Sequence, residues 1–233
     1  MTPEKLSIRR RIWRWLVRRG FHLLYNELAW TYDIVSWLVS LGEWRNWQAA
    51  ALPYVVGDNV LEIAHGPGHM LLCLAQDGRR VTGIDFSPYM GRLAARRLRR
   101  AGKAVPLVRG KVQTLPFADE TFDTVYSSFP TAFMAERKTM QAVYRVLRED
   151  GRYIIVPEGH LTGSGVVERF IDWLFRITGQ RSEVFAVDEE AAENPHWRSF
   201  LHTMEDIGFL VDVHHVELAR SAATVIVASR KVY

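Results

Sequence analysis

From residue 58 onward the chain alternates two hydropathy rhythms. Short apolar runs, "NVLEIA" (59–64), "RRVTGID" (79–85), "AVPLVRG" (104–110), "FDTVYSS" (122–128) and "GRYIIVPE" (151–158), lack the strict alternation of a strand with one wet face. Between them lie segments with helical spacing: "HMLLCLAQDG" (69–78), closed by Gly78, then "SPYMGRLAARRLRRAG" (87–102) and "ERKTMQAVYRVLRED" (136–150). Ser87 and Pro88 read as the N-cap and first residue of the second helix. Buried strands separated by helices predict a parallel sheet covered on both faces. A further helix is expected to start near Glu189. "GFLVDVHHVEL" (208–218) and "SAATVIVASRK" (221–231) predict a closing antiparallel hairpin at the sheet edge.

Two segments stand outside this alternation. Residues 1–57 read as a helical extension, and about 158–190 as an insertion into the domain formed by 58–233. Within the insertion Val166, Val167, Phe170, Ile171, Leu174 and Ile177 recur at three- and four-residue steps, opposite Glu168, Arg169, Asp172 and Arg176. That is an amphipathic helix, fitting either a cap over an apolar ligand or a helix packed on its own core.

Charge changes the picture at one end. Up to Gly20 there are seven Lys or Arg against one acid, so this arm carries +6 of a total of +4. In "IRRRIWRWLVRRGFHLL" (8–24), Ile8, Ile12, Trp13, Leu16 and Val17 oppose Arg10, Arg11, Arg14 and Arg18. Such a helix suits an anionic membrane surface or packing on its own domain or a partner subunit. Nucleic acid is disfavoured, because the rest of the chain has no matching basic excess. The single cysteine, Cys73, reads as a buried structural thiol, and neither it nor the histidines have metal-site spacing. With no apolar run near 20 residues and no signal-peptide core, the expectation is a cytoplasmic protein, associated with the inner face of the membrane if the arm docks there. Nothing in the sequence fixes its oligomeric state.

The chemistry is concentrated in "VLEIAHGPGHM" (60–70). A glycine-rich turn between the first strand and its helix sits where open parallel sheets bind nucleotides. It is not a dinucleotide fingerprint, since Leu71 occupies the third glycine's place, and no Lys follows to make a P-loop. The pattern that fits is E-x-[GA]-x-G-x-G, with Glu62, Ala64, Gly66 and Gly68. Together with "GIDFSPYM" (83–90), "LPFADETFDTV" (115–125) and "VYRVLREDGRYIIV" (143–156), it resembles the class I S-adenosylmethionine-dependent methyltransferases, in particular the branch acting on small molecules, quinones and lipids.

The resemblance implies a Rossmann-like, doubly wound, mostly parallel seven-stranded α/β sheet with an antiparallel C-terminal hairpin strand and an N-terminal helical lid. It implies S-adenosylmethionine as cofactor and a small, hydrophobic or lipid-like acceptor, a quinone carbon or a phospholipid amine. An inactive cofactor-binding protein and an RNA methyltransferase are the alternatives. Asp85, 23 residues after Glu62, is placed to take the ribose hydroxyls. Phe86 and Ser127 join the cofactor set. Ala64 stands where the family has glycine, at a strand end whose backbone is expected to accept it. Lys111 stands where the family commonly has an acid for adenine, leaving backbone near Lys111 and Val112, or Gln113, to hold the base. His65 either points to solvent or faces the methionine moiety. "LYNELAWTYDIVSWLVSLGEWRNW" (24–47) resembles the lid of quinone and lipid methyltransferases. By that resemblance Tyr32 covers the cofactor with Tyr25 close by, the alternative being two core aromatics. "SSFPT" (127–131) disfavours the N/D-P-P-Y class that methylates base amino groups. Glu158 and His160, leaving the fifth strand, are the best-placed ionisable groups for a base, and His160 and Tyr32 are the catalytic candidates.

Overall fold

The computed structural model describes residues 15–16, 19–20, 23, 27–129, 132–162, 165 and 195–231. After a 3-10 turn at Ala29–Thr31, helices α1 (Tyr32–Ser40) and α2 (Trp44–Ala49) precede the sheet. Then follow β1 (Asn59–Ile63), α3 (His69–Gln76), β2 (Arg80–Asp85), α4 (Pro88–Arg100), β3 (Leu107–Arg109), β4 (Phe122–Ser128), α5 (Arg137–Val146) and β5 (Leu147–Val156). The chain closes with β6 (Gly159–Leu161), α6 (Pro195–Ile207), β7 (Phe209–Glu217) and β8 (Ser221–Arg230).

The strands form one mixed sheet. β3, β2, β1, β4 and β5 are parallel neighbours in that order, and β8 lies antiparallel beside β5. The short β6 continues the line of β5 along β8, where His160 pairs with Ala222, and β7 takes the outer edge. Among the described residues, eight strands therefore occupy seven positions. The expected hairpin is present, but only β7 is at the edge, because β8 is buried between β5 and β7.

Each face of the sheet is covered. On one, Val143 and Val146 of α5 and Trp197, Phe200 and Met204 of α6 pack on Leu61, Ile63, Val125 and Ile155. On the other, Trp47 of α2, Leu71 and Leu74 of α3 and Ala94 and Leu98 of α4 pack on Val60, Val81 and Ile154. Burial on both faces is what the unbroken apolar runs required. Ser87 Oγ accepts a hydrogen bond from Met90 N (3.3 Å), with Pro88 opening α4, as its sequence indicated.

The expected helix over 136–150 is shorter. It ends at Val146, and β5 starts at the next residue. Long-range bonds impose this end. Arg145 donates to Leu115 O (2.8 Å), Phe117 O (2.7 Å) and Asp119 Oδ1 (2.6 Å), and Arg148 donates to Asp123 Oδ1 (2.7 Å). Asp123 Oδ2 in turn accepts from Asp58 N and Asn59 N at the start of β1. The two motifs around 115–125 and 143–156 thus brace one another structurally. The helix expected near Glu189 is described only from Pro195, and its start, like the amphipathic segment at 166–177, lies outside the described residues. So does most of 8–24, where Trp15, Leu16, Arg19, Gly20 and Leu23 are helical.

Candidate active site

The carboxyl ends of β1, β2 and β4 meet α1 and α2 at one edge of the sheet. β1 leaves the sheet through Ala64, whose φ is +52, then Gly66 (+53) and Gly68 (+77). Ala64 is accepted, but in the left-handed region, where a Cβ is unfavourable by about 1–2 kcal/mol. The two glycines do different work. A Cβ on Gly68 would come 2.8 Å from Ala94 Cβ, so this glycine lets α4 approach the turn. A Cβ on Gly66 would meet nothing within 4 Å, so this side of the turn is open.

Asp85, ending β2, faces the turn. Its Oδ2 accepts from Gly66 N (2.9 Å) and its Oδ1 from Ser87 N (2.8 Å). One carboxylate therefore joins the open turn to the α4 cap, with lone pairs left for a ligand. Phe86, next in the chain, is 61% exposed. Lys111 Nζ lies 5.8 Å and Arg109 Cζ 5.9 Å from its ring centroid, within cation–π reach.

Glu62 is buried beneath the turn. Burial, and then the negative charge of Asp85, push its carboxyl well above the usual range, while the Leu71 backbone N–H favours the charged form. Glu62 therefore props the start of α3 from below, and its Oε2 lacks a partner among the described residues. His65 is only 4% exposed, which rules out the solvent-facing one of its two expected positions. Its Nδ1 is 2.7 Å from Gly66 O, and a Cβ on Gly83 of β2 would lie 2.9 Å from its Cδ2. Gly83 makes room for the ring, and burial holds its pKa below the ordinary imidazole value.

Of the adenine candidates, Val112 is buried in the core, and Gln113 Nε2 is engaged with Glu136 Oε2 (3.1 Å). Lys111 flanks Phe86 but cannot accept a hydrogen bond. Ser127, near the end of β4, is fully buried with its Oγ unpartnered among the described residues. Cys73 is half-buried rather than core, with its thiol pushed up by burial.

Sequence reasoning did not identify two further groups. The first is an aromatic wall. Trp44 stacks on Phe129 with ring centroids 3.9 Å apart, Tyr32 meets Trp44 edge-on at 6.3 Å, and Trp47 lies against Gly159, whereas His160, the next residue of β6, falls on the other face of the sheet. Phe129 holds φ +49, uncommon for a bulky residue and of the kind found at functional sites. The second is an ionic clamp. Asp33 of α1 takes His69 Nε2 at 2.8 Å and also Arg97, which donates in addition to Pro67 O in the glycine turn. The bond from His69, assisted by Arg97, holds the Asp33 carboxyl below the usual carboxylate range. The clamp fastens the helix carrying Tyr32 to the turn. A signal for it existed in the Y-D pair at 32–33, but its partners lie 36 and 64 residues away. Tyr25 falls outside the described residues.

The family model for a methyltransferase domain matches residues 60–151, the stretch from β1 into β5. The chain is 33% identical over 164 residues to a demethylmenaquinone methyltransferase of Thermobifida fusca, covering 68% of this chain and 69% of that protein. The chain belongs to the class I S-adenosylmethionine-dependent methyltransferases. A ubiquinone/menaquinone biosynthesis C-methyltransferase, UbiE, of Citrifermentans bemidjiense is 29% identical over 224 residues, covering 89% of this chain and 94% of its own. Among solved structures, a methyltransferase of Methanosarcina mazei superposes with a TM-score of 0.55 at 22% identity, covering 78% of this chain and 97% of its own, which establishes the fold. This methyltransferase uses S-adenosylmethionine, and the residues at the turn fit that ligand. A phosphate-free cofactor requires close backbone approach, not an anion cradle, and the open side of Gly66 beside the Asp85 carboxylate offers that.

Proposed function

We propose that the chain methylates a ring carbon of a lipid-soluble quinol. The observation that carries this reading is the aromatic wall of Tyr32, Trp44 and Phe129 beside the open turn, a surface suited to a flat conjugated ring. The names of the relatives, demethylmenaquinone methyltransferase and ubiquinone/menaquinone C-methyltransferase, support it, and nothing in the comparisons favours an inactive binding protein or an RNA methyltransferase. A phospholipid amine is the second acceptor, and the test below separates the two.

In this reading Asp85 takes the ribose hydroxyls, Gly66 lets the backbone approach the cofactor, and Phe86 supports the adenine. Adenosylmethionine supplies the electrophilic methyl group when bound. The chain's part is alignment, which contributes roughly 7–11 kcal/mol in well-oriented reactions. A ring carbon also has to lose its proton after attack. Water takes that proton, because His160 alternates with Gly159 onto the face of the sheet away from the wall, and Tyr32, carried by the clamped lid helix, orients the acceptor hydroxyl. The basic arm at 8–24 associates with an anionic membrane, from which an apolar acceptor is drawn.

The experiment is methyl transfer by the purified chain from methyl-labelled adenosylmethionine to a demethylated naphthoquinol with a short prenyl chain, beside phosphatidylethanolamine. Label on the quinol ring carbon is expected. Label on the amine, or none while adenosylhomocysteine still binds, would overturn the acceptor assignment.

A further inference from the structure

Helix α1 is built inside out. Ser36 and Ser40, one turn apart, are buried and satisfy their hydroxyls on the helix's own carbonyls, Ser36 Oγ on Asp33 O (3.1 Å) and Ser40 Oγ on Ser36 O (2.6 Å). The opposite face carries Ile34 (56% exposed), Trp37 (60%) and Leu38 (55%) at i, i+3 and i+4, with Trp30 (68%) one turn earlier. A helix on a water-facing surface places its apolar stripe inward. Single exposed apolar residues are ordinary, but three on one helix face, with an exposed tryptophan in the 3-10 turn just ahead, are the grouping that marks an interaction site.

The orientation is fixed. The clamp of Asp33 on His69 and Arg97, together with Trp44 N donating to Ser40 Oγ (3.1 Å), prevents α1 from rotating its apolar face inward. Trp37 is seated over the turn that follows, its Nε1 3.1 Å from the place of a Cβ on Gly42.

We propose that this outer face of α1 docks on an anionic lipid bilayer, so that the mouth of the methyl-transfer site opens at the membrane surface. Charge selects this occupant. The arm ending at Gly20, only 12 residues before α1, carries +6, which an anionic surface attracts. A second copy of the chain would bring an equally positive arm against it. The patch is rich in tryptophan, the side chain that favours the boundary between lipid and water. The proposal rests on the reading of a lipid-soluble acceptor and extends it by naming where the site meets its supply, with membrane contact through α1 in addition to the arm.

The test is flotation of the purified chain with vesicles of phosphatidylcholine alone and with added phosphatidylglycerol, without quinone or cofactor. The wild type should partition to the anionic vesicles. The combined substitution Ile34→Ser, Trp37→Ser and Leu38→Ser should weaken partition at least tenfold, as expected when several apolar side chains stay in water. Its adenosylhomocysteine affinity should stay within twofold by calorimetry. As a second reading that does not depend on the triple variant folding, brominated lipid should quench wild-type tryptophan fluorescence more than that of Trp37→Phe. A smaller loss of partition, equal quenching, or a wild-type dimer split by the three substitutions would overturn the proposal, the last assigning the face to a second copy. A chain that floats as described but methylates no quinol would refute the acceptor reading and leave the docking face standing.

Discussion

Alanine at Gly66 and at Gly68 should separate binding from stability. Gly66 has φ +53, and its Cβ would meet no protein atom within 4 Å. The conformational cost is about 1–2 kcal/mol, partly offset by about 0.4–1 kcal/mol from the stiffer unfolded chain. Ala64, already at φ +52 in the same turn, shows that the fold tolerates such a residue. Gly66→Ala should therefore lower stability by at most about 1.6 kcal/mol, a melting shift of no more than about 3–6 °C. Its methyl group, however, projects into the space assigned to the cofactor, beside the bond from Gly66 N to Asp85. Displacing a ligand from one charge-assisted hydrogen bond costs about 1.5–3 kcal/mol, or roughly 10- to 150-fold in affinity. Gly68→Ala should show the reverse. Its Cβ would lie 2.8 Å from Ala94 Cβ and 3.1 Å from Ala94 Cα, adding about 1–3 kcal/mol of overpacking to the conformational cost. Urea unfolding and calorimetry with adenosylhomocysteine read the two effects independently. A Gly66→Ala protein that binds as tightly as the wild type would refute the placement of the cofactor on that side of the turn.

The other side chains of the site give sharper single outcomes. Asp85→Ala should weaken adenosylhomocysteine binding by roughly one to two powers of ten, and unchanged calorimetric affinity would remove Asp85 from the site. Lys111→Asp takes a cation from beside Phe86 and from the neighbourhood of a cationic ligand, so adenosylmethionine affinity should rise or stay level, whereas a clear loss would expose a specific Lys111 contact. Glu62, raised in the fold by burial, contributes stability that is complete below about pH 4.5 and is lost as pH rises through its higher folded-state value. Glu62→Gln should flatten that decline in urea midpoints measured against pH, and an unchanged slope would show that the carboxyl ionises without cost. Asp33→Ala should loosen the lid, raising KM for the acceptor more than it changes adenosylhomocysteine affinity, and equal effects on both would argue against a positioning role.

What the sequence disclosed follows the range of the forces involved. The β1 turn, the Ser87–Pro88 cap and the buried strands rest on local signals, namely glycine, a capping hydroxyl and unbroken apolar runs. The end of α5 was not legible, because Leu147–Asp150 has helical composition and only the distant partners of Arg145 and Arg148 pull it into the sheet. β6 has three residues and no periodicity, and its pairing with β8 across 221–223 creates it. Burial of His65 depends on Gly83 of the neighbouring strand, and that glycine inside "VTGID" was the available hint of close approach. The place of Asp85, at the end of β2 and facing the turn, was readable from the length of its strand. Trp44 and Phe129 were not, because the stack joins α2 to the end of β4, 85 residues on.

In the proposed function the glycine turn and Asp85 hold the cofactor, and the acceptor meets it from the aromatic wall. A crystal structure of the chain with adenosylhomocysteine tests this most directly. Both ribose hydroxyls are expected within hydrogen-bond distance of the Asp85 carboxylate, with the open side of Gly66 against the ligand and the sulfur directed toward Tyr32, Trp44 and Phe129. A ligand bound elsewhere, or one whose ribose avoids Asp85, would contradict it.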